Sequence, residues 1–390
     1  MFFERSKYNI YSYRYIYLIF ILICNIYAYF ITVNDGYLSG DYLGYIIDVN
    51  TFFPIIFLFV IIFYYIVIDV LFKISSSFKI NDSFVCCRNL SYFVLIYQSV
   101  FFLFNNVYGI NVAGSTDTTS NPLKYLFLIL NADYLFVVYF ALNINDSNKK
   151  LMLLNVLVYI LSTLSRGWLG GVVLLAFFFI FFNFSKKNWK LFFLALSISI
   201  SLALMSPVIY EIRNIIRFDL ELSELSINLD SYYNFIFLFL EKLILRFQNY
   251  TPLYFVIDNL NNYFNIQPIY SQGSIPTTLY RMLGYTGSPL SSITAEHWLG
   301  NLGRNTAFST TIIPYFLISF TSAIATSFYF FIAIVSSGLI VRLFNSPELK
   351  FVTWYYLVGI FASGWSAAFF SFWLAMLIVL VINTRFRINI

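Results

Sequence analysis

The sequence is poor in the residues that build metal sites and disulfide frameworks. Its 390 residues include one histidine, His297, and three cysteines, Cys24, Cys86 and Cys87. Cys24 lies in an apolar stretch and the other two are neighbours in a short basic segment, so no disulfide framework is expected. Zinc and haem sites need more ligands than these. A magnesium site made of carboxylates alone stays open, but no DxxD pair occurs, and we expect no cofactor.

Charge is equally scarce. Charged residues make up 11% of the chain, and hydrophobic residues 60%. A soluble fold of this length could not bury so much apolar surface. The aromatic content of 22% suits contact with lipid and belts at the membrane interface. The net charge of +5 comes from basic residues spread thinly through short loops, so nucleic acid is not an expected partner.

Apolar stretches predict about ten membrane-crossing helices, because a hydrocarbon core about 30 Å thick needs around 20 apolar residues per helix. The first stretch lacks a small-residue cleavage site, so no removable signal peptide is predicted. The last stretch is predicted to hold two short helices that fold back at Ala362-Ser363-Gly364-Trp365, and 312–341 one tilted helix with Pro314 near its start. The predicted spans lie near 15–33, 52–72, 90–110, 123–142, 151–165, 168–184, 190–209, 312–341 and 351–384.

The placement of lysine and arginine predicts the orientation of these helices. With ten crossings, both termini and most of the 23 basic residues lie on the cytoplasmic side. Six of the eight basic residues left outside are arginines, whose planar fork suits phosphate or carboxylate. Alternatively, some of them pair with acidic residues of the same loop. The eight are Lys124, Arg166, Arg213, Arg217, Lys242, Arg246, Arg281 and Arg304.

Three regions follow from this topology: an N-terminal transmembrane bundle over 1–209, a large outer loop over 210–305, and C-terminal transmembrane helices over 306–390. The loop is too long for a mere connector. Within it, Tyr232 to Phe247 is predicted as an amphipathic helix on the membrane surface. The alternative, another crossing, would spoil the charge bias.

The end of this loop brings Glu296, His297 and Trp298 together in sequence, with Arg304 six residues further on. A histidine beside a glutamate can accept a proton near neutral pH. The alternative is a surface loop with an ordinary histidine.

Two polar positions in the N-terminal region also attract attention. Asp133 falls within a span, where a carboxylate indicates either function or a buried partner. Arg166 lies on a tight hairpin at the outer boundary, where Gly167, Gly170 and Gly171 would let a helix or a ligand approach closely. The alternative for Arg166 is a residue without effect on topology or function. Asp69 receives little weight, because it lies near the end of its span and could reach water.

This arrangement resembles bacterial O-antigen and capsule repeat-unit polymerases of the Wzy type and, more distantly, O-antigen ligases. The similar features are many spans with cytoplasmic termini, a hairpin with Ser165-Arg166-Gly167, and one large periplasmic loop. In addition, Arg213 and Arg217 follow the span that opens the loop, and His297 lies late in it. The resemblance implies an all-α polytopic, GT-C-like protein of the bacterial inner membrane.

The resemblance also implies a reaction, in which the growing glycan is transferred from undecaprenyl pyrophosphate to the non-reducing end of a lipid-linked repeat unit. In the ligases, hairpin and loop arginines engage pyrophosphate and a loop histidine assists the acceptor; Arg166, Arg213 and His297 occupy matching places. The spacing from His297 to Gly303 departs from the ligase pattern. By chemistry alone, Arg217, Arg246, Arg281 and Arg304 are further pyrophosphate ligands, and Glu296 and Glu211 further bases.

The partners implied are undecaprenyl-pyrophosphate-linked oligosaccharides, membrane lipids and a chain-length regulator protein. Three alternatives to a polymerase stay open: a ligase with a lipid A-core acceptor, a flippase or other transporter, and a receptor or purely structural membrane protein. A flippase should carry cationic residues within its spans and should lack a large outer loop.

Overall fold

The computed structural model describes residues 10–48, 52–77, 88–111, 121–144, 149–205, 241, 244–263, 276, 279, 290–300 and 308–388. In these ranges the chain is helical, apart from loops and one isolated bridge between Tyr37 and Ile46. A π-helix, Tyr356–Phe361, directly follows the α-helix Pro347–Tyr355. The α-helices are α1 (Arg14–Asp35), α2 (Phe53–Ser75), α3 (Arg88–Tyr108), α4 (Leu123–Ile129), α5 (Ala132–Asn143), α6 (Lys149–Ser165), α7 (Leu169–Ser185), α8 (Trp189–Leu204), α9 (Tyr250–Asp258), α10 (Leu260–Tyr263), α11 (Leu290–Leu299), α12 (Tyr315–Ile318), α13 (Phe320–Phe344), α14 (Pro347–Tyr355) and α15 (Ser366–Ile388).

Five helical segments of the described chain are long and apolar enough to cross a membrane: Ile10–Asp35, Phe53–Ser75, Asn89–Tyr108, Leu123–Asn143 and Phe320–Phe344. Shorter apolar stretches occur in α7, α8 and α15. The outward faces of these membrane-spanning segments are apolar, as lipid contact requires. Ile23 of α1, for example, is 57% exposed. A helical protein with several membrane-spanning segments therefore agrees with the structure, while the count of ten crossings and the GT-C-like fold stay predictions.

Hydropathy located most helices to within a few residues and missed two breaks. The span predicted over 123–142 consists of α4 and α5, separated at Leu130 and Asn131. The span predicted over 312–341 corresponds to one candidate membrane helix, α13, and the extended Ser319 (φ −160°) separates the four-residue α12 from its start. The fold predicted at 362–365 is confirmed, since the π-helix ends at Phe361 and α15 begins at Ser366.

Polar contacts define one end of the bundle, which we call the Arg14 end. Here Arg14 at the start of α1 pairs with Asp69 near the end of α2, at 2.8 Å, so these helices are antiparallel. Lys350 of α14 donates to the carbonyl of Ser76 at 3.1 Å. The helices cross closely, since a Cβ on Gly338 of α13 would overlap Ser75. The Arg14 end therefore joins α1, α2, α13 and α14.

Other contacts define the opposite end, which we call the Arg166 end. The chain after α14 reaches it where the Thr311 N–H donates to the carbonyl of Ser363, at 3.3 Å. The loop between α1 and α2 lies there too, with the Tyr42 hydroxyl donating to the carbonyl of Ser309 at 2.8 Å. In α5, Tyr134 contacts Tyr356, which follows α14. Later in α5, Phe140 contacts Phe182, which in turn contacts Phe351 near the start of α14. The helix α5 therefore begins at the Arg166 end.

The segment of the large loop that contains α9 returns into the bundle. Residues 250–256, in α9, are buried against α1 and α2. Asn249 anchors this return, because its backbone N–H donates to Asn25 Oδ1 at 2.9 Å and its side-chain amide donates to the Tyr65 hydroxyl at 2.8 Å. Most of the helix predicted over Tyr232 to Phe247 lies outside the described residues.

Candidate functional site

The hairpin between α6 and α7 is closed by backbone hydrogen bonds. Gly167 adopts φ +69°, a left-handed conformation that costs glycine little. Its N–H donates to Leu164 O and the Trp168 N–H donates to Thr163 O, both at 2.9 Å, which satisfies carbonyls at the end of α6. This turn holds Arg166 in a fixed position between two helices.

Arg166 and Asp133, singled out separately in the sequence, are partners. Nη2 of Arg166 donates to Asp133 Oδ1 at 2.8 Å and to Oδ2 at 2.9 Å, and Nε donates to Ser162 O at 2.8 Å. The guanidinium lies 4.9 Å from the centre of the Phe101 ring. The side chain of Arg166 is 4% exposed and that of Asp133 is 23% exposed. The buried partner anticipated for Asp133 is therefore Arg166.

Asp133 is also favoured by its place in α5. Asn131 is the N-cap, and its side chain accepts from the Asp133 backbone N–H at 2.8 Å. A carboxylate in the first turn interacts favourably with the positive end of the helix dipole. The Asp133 side chain therefore has two favourable electrostatic contacts, one with the N-terminus of α5 and one with the guanidinium of Arg166.

The glycines of this hairpin have different surroundings. A Cβ on Gly171 would lie 2.7 Å from the Tyr159 hydroxyl and 3.1 Å from Thr163 Cγ2, so α6 and α7 approach closely there. The space around Gly170 is open, with no atom within 4 Å of its Cβ position. The predicted close approach thus holds at Gly171, where the neighbour is a helix.

A second cluster of side chains lies at the Arg166 end and brings together the α1–α2 loop, α9 and α11. Its members pack around Phe255: the ring of Tyr42 stacks on it at 4.3 Å, and those of Tyr45 and Trp298 meet it edge-on at 4.9 Å and 5.8 Å. The exposed His297 ring lies 6.3 Å from the same phenylalanine. We call these residues the Phe255 cluster.

An exposed carboxylate borders this cluster. The Tyr45 hydroxyl donates to Asp258 Oδ2 at 2.6 Å and accepts from the side-chain amide of Asn259 at 3.0 Å. Burial, followed by the hydrogen bond to Asp258, raises the pKa of Tyr45 to about 12, so this phenol stays protonated at neutral pH. Asp258 was not singled out in the sequence, although it ends an apolar run at a turn, where functional side chains concentrate.

The remaining predicted site residues are placed as follows. Glu296 is exposed on α11 beside His297, and Arg246 is exposed in the turn before α9. Arg166 and His297 belong to two separate clusters. Lying outside the described residues are Glu211, Arg213, Arg217, Arg281 and Arg304.

Among the described residues, no group of three or more His, Cys, Asp or Glu side chains is placed to hold a metal ion. Comparison of the chain with protein-family models, with curated proteins and with solved structures finds no match. The function is therefore inferred from the residues and their geometry.

Proposed function

We propose that this chain is an O-antigen or capsular polysaccharide polymerase of the bacterial inner membrane. It would transfer a growing glycan from undecaprenyl pyrophosphate to a lipid-linked repeat unit at the periplasmic face, without a metal. About ten crossings, a GT-C-like fold, cytoplasmic termini and a chain-length regulator partner belong to the same proposal. The observation that carries it is an arginine fixed on a helical hairpin, on the same side of an apolar bundle as a histidine and two carboxylates.

The chemistry asks for two kinds of side chain. Departure of the glycan leaves charge on the pyrophosphate, which positioned arginines stabilise. The acceptor hydroxyl needs a base, for which His297, Glu296, Glu211 and now Asp258 have suitable chemistry. Holding both lipid-linked substrates in the membrane plane supplies much of the remaining rate through orientation.

The ion pair with Asp133 modifies the proposed role of Arg166. Two of its three nitrogens are engaged, and the carboxylate is the more exposed partner. A pyrophosphate that approaches this pair meets negative charge unless Asp133 is displaced. Arg166 therefore binds pyrophosphate through a rearrangement, or it positions the hairpin while Arg213, Arg217, Arg246, Arg281 and Arg304 supply the contacts.

A transporter is the second candidate, favoured by the buried arginines Arg14 and Arg166. Cationic residues inside spans mark substrate pathways in membrane proteins. Each of these two arginines is nevertheless paired with a carboxylate, and a neutral pair attracts an anionic lipid weakly. The polymerase accordingly remains our proposal.

Deletion of the gene, followed by gel analysis of lipopolysaccharide, tests the proposal. We expect lipid A-core bearing a single repeat unit, and a return of long chains on complementation. Core alone, with lipid-linked polymer accumulating, would identify a ligase. Lipid-linked repeats retained in the cytoplasmic leaflet would identify a flippase.

Replacement of His297 by alanine tests the proposed base. Loss of general-base catalysis should lower the rate of chain extension by about 10²–10⁴-fold. Because His297 is exposed, the thermal stability of the protein should change little. Ser292→Ala, on the same helix, is the matched control. Near-normal chain extension in His297→Ala would move the role to Glu296, Glu211 or Asp258.

A further inference from the structure

A short segment of the chain, 308–311, crosses the turn at 362–365 at the Arg166 end of the bundle. We call this segment the strap. Two donors of the strap meet one acceptor of the turn. The Ser309 hydroxyl donates to the Ser363 carbonyl at 2.8 Å, and the Thr311 N–H donates to the same carbonyl at 3.3 Å. Both hydrogen bonds therefore depend on the position of a single oxygen atom.

The backbone has a positive φ on both sides of this contact. Gly364 in the turn adopts φ +87°, which costs a glycine little. Thr311 in the strap adopts φ +58°, a left-handed conformation that is an outlier for a β-branched residue. Such backbone strain persists only where the surrounding contacts impose it, and it concentrates in ligand clamps and switch regions. Contact with the turn thus holds Thr311 in a conformation that it would leave on release.

Two hydroxyl groups of the strap are buried without compensation. Thr310 and Thr311 are 1% and 0% exposed, and neither Oγ1 atom has a hydrogen-bond partner in the part of the chain that the structure describes. A buried polar group of this kind loses its hydration without a replacement. The surroundings are tight, since a Cβ on Gly364 would lie 2.9 Å from Thr310 Oγ1 and 3.0 Å from the N and O atoms of Thr311. Release of the strap would give both hydroxyls access to new partners.

The strap also contacts two elements of the Phe255 cluster. The Phe308 N–H donates to the Ser291 carbonyl of α11 at 3.0 Å. The Ser309 carbonyl accepts from the Tyr42 hydroxyl of the α1–α2 loop at 2.8 Å, and the rings of Tyr42 and Phe308 lie 5.3 Å apart. Because α11 carries His297, a displacement of the strap would be passed to the helix that holds this histidine.

We propose that the strap and the turn form a latch with two states, the closed one described above and an open one in which the strap and α11 move away from the turn together. In the open state Thr311 returns to a negative φ, and the Thr310 and Thr311 hydroxyls gain partners. In exchange, the two hydrogen bonds to Ser363 are lost. These opposing changes bring the two states close in free energy, as a bistable element requires. The latch sets the position of His297, and it does not depend on the proposed function.

Hydrogen–deuterium exchange of the full chain in nanodiscs, followed by mass spectrometry, tests the latch. Gly364→Ala places a Cβ against Thr310 and Thr311 and forces a positive φ on alanine, so it should favour the open state. We expect exchange in the strap and in α11 to rise together by about tenfold, equivalent to ~1.4 kcal/mol. Gly170→Ala is the matched control, because no atom lies within 4 Å of its Cβ position, and it should leave exchange in both segments unchanged.

Thr310→Val should have the opposite effect, because it removes an unsatisfied hydroxyl from the closed state and keeps the shape of the side chain. Exchange in the strap and in α11 should then be about fivefold slower. A variant that only loosened the fold would not slow exchange. In all of these variants, exchange in α2 should stay at the level of the native protein.

Ser309→Ala is a second opening variant, which keeps the test available if Gly364→Ala does not fold. It removes one donor to the Ser363 carbonyl without adding bulk, and it should also raise exchange in both segments. Three results overturn the latch: exchange that changes in the strap without changing in α11, faster exchange in Thr310→Val, or folded opening variants that behave like Gly170→Ala.

Discussion

Replacement of Asp133 by alanine is expected to destabilise the protein by about 3–5 kcal/mol, because Arg166 is left buried without its partner. Arg166 is 4% exposed, so its guanidinium cannot recover this loss by contact with water. The measurement is the fraction of purified protein that remains monodisperse after heating. Asp41→Ala, at an exposed carboxylate of the α1–α2 loop, is the matched control and should behave like the native protein.

A double variant separates the structural role of this pair from a catalytic one. Asp133→Leu combined with Arg166→Met replaces the ion pair by apolar side chains of similar size, which often preserves stability. We expect this variant to survive heating but to extend chains about 10²–10³-fold more slowly, as when one positioned donor to developing charge is lost. Normal chain extension in a stable double variant would show that Arg166 only supports the hairpin.

Asp133 and Arg166 show how much of the candidate site could be predicted from the sequence. Asp133 stood out because carboxylates in spans are costly, and Arg166 because it sits in so short a turn. Their pairing was not predicted, since they are 33 residues apart and hydropathy does not tell which helix faces become neighbours. The break before Asp133 was readable in principle, because Asn131 is a strong N-cap residue inside an apolar run.

The large loop predicted over 210–305 shows a different limit of prediction from sequence. Its polarity and length predicted an extramembrane loop, and no part of the sequence predicted that residues 250–256 would be buried against α1 and α2. The sequence YTPLYFV is apolar enough for this, but too short to register as a span. Burial of α9 creates the contact between Phe255, Tyr45 and Trp298 that places His297, and no spacing rule connects residues so far apart.

Asp69 carries the second large expected effect, although its place near the end of a span predicted little importance for it. Its Oδ1 accepts from Arg14 Nε and from the indole N–H of Trp354, each at 2.8 Å. Arg14 is in turn bound to the Tyr11 carbonyl and lies over the Tyr11 and Tyr15 rings. This network therefore fastens α1 and α2 to α14.

Replacement of Asp69 by alanine should destabilise the protein by about 3–5 kcal/mol, because a buried guanidinium again loses its counterion. Trp354→Phe removes one hydrogen bond to a charged group and should cost less, about 1.5–3 kcal/mol. Only Asp69→Ala removes the counterion of Arg14. A larger loss of stability in Asp69→Ala than in Trp354→Phe would therefore show that the ion pair contributes more than the Trp354 hydrogen bond. Both variants are compared with Asp41→Ala by the same heating assay.

If Asp69 merely reached water at the end of its span, Asp69→Ala would match the Asp41→Ala control. A functional role at this end gives a third pattern, in which Asp69→Asn, whose amide oxygen can still accept from Trp354, loses more chain extension than its loss of folded protein explains. We expect instead that chain extension falls only as far as the amount of folded protein falls. The reason is position: the Arg14 pair lies at the opposite end of the bundle from the hairpin and the Phe255 cluster.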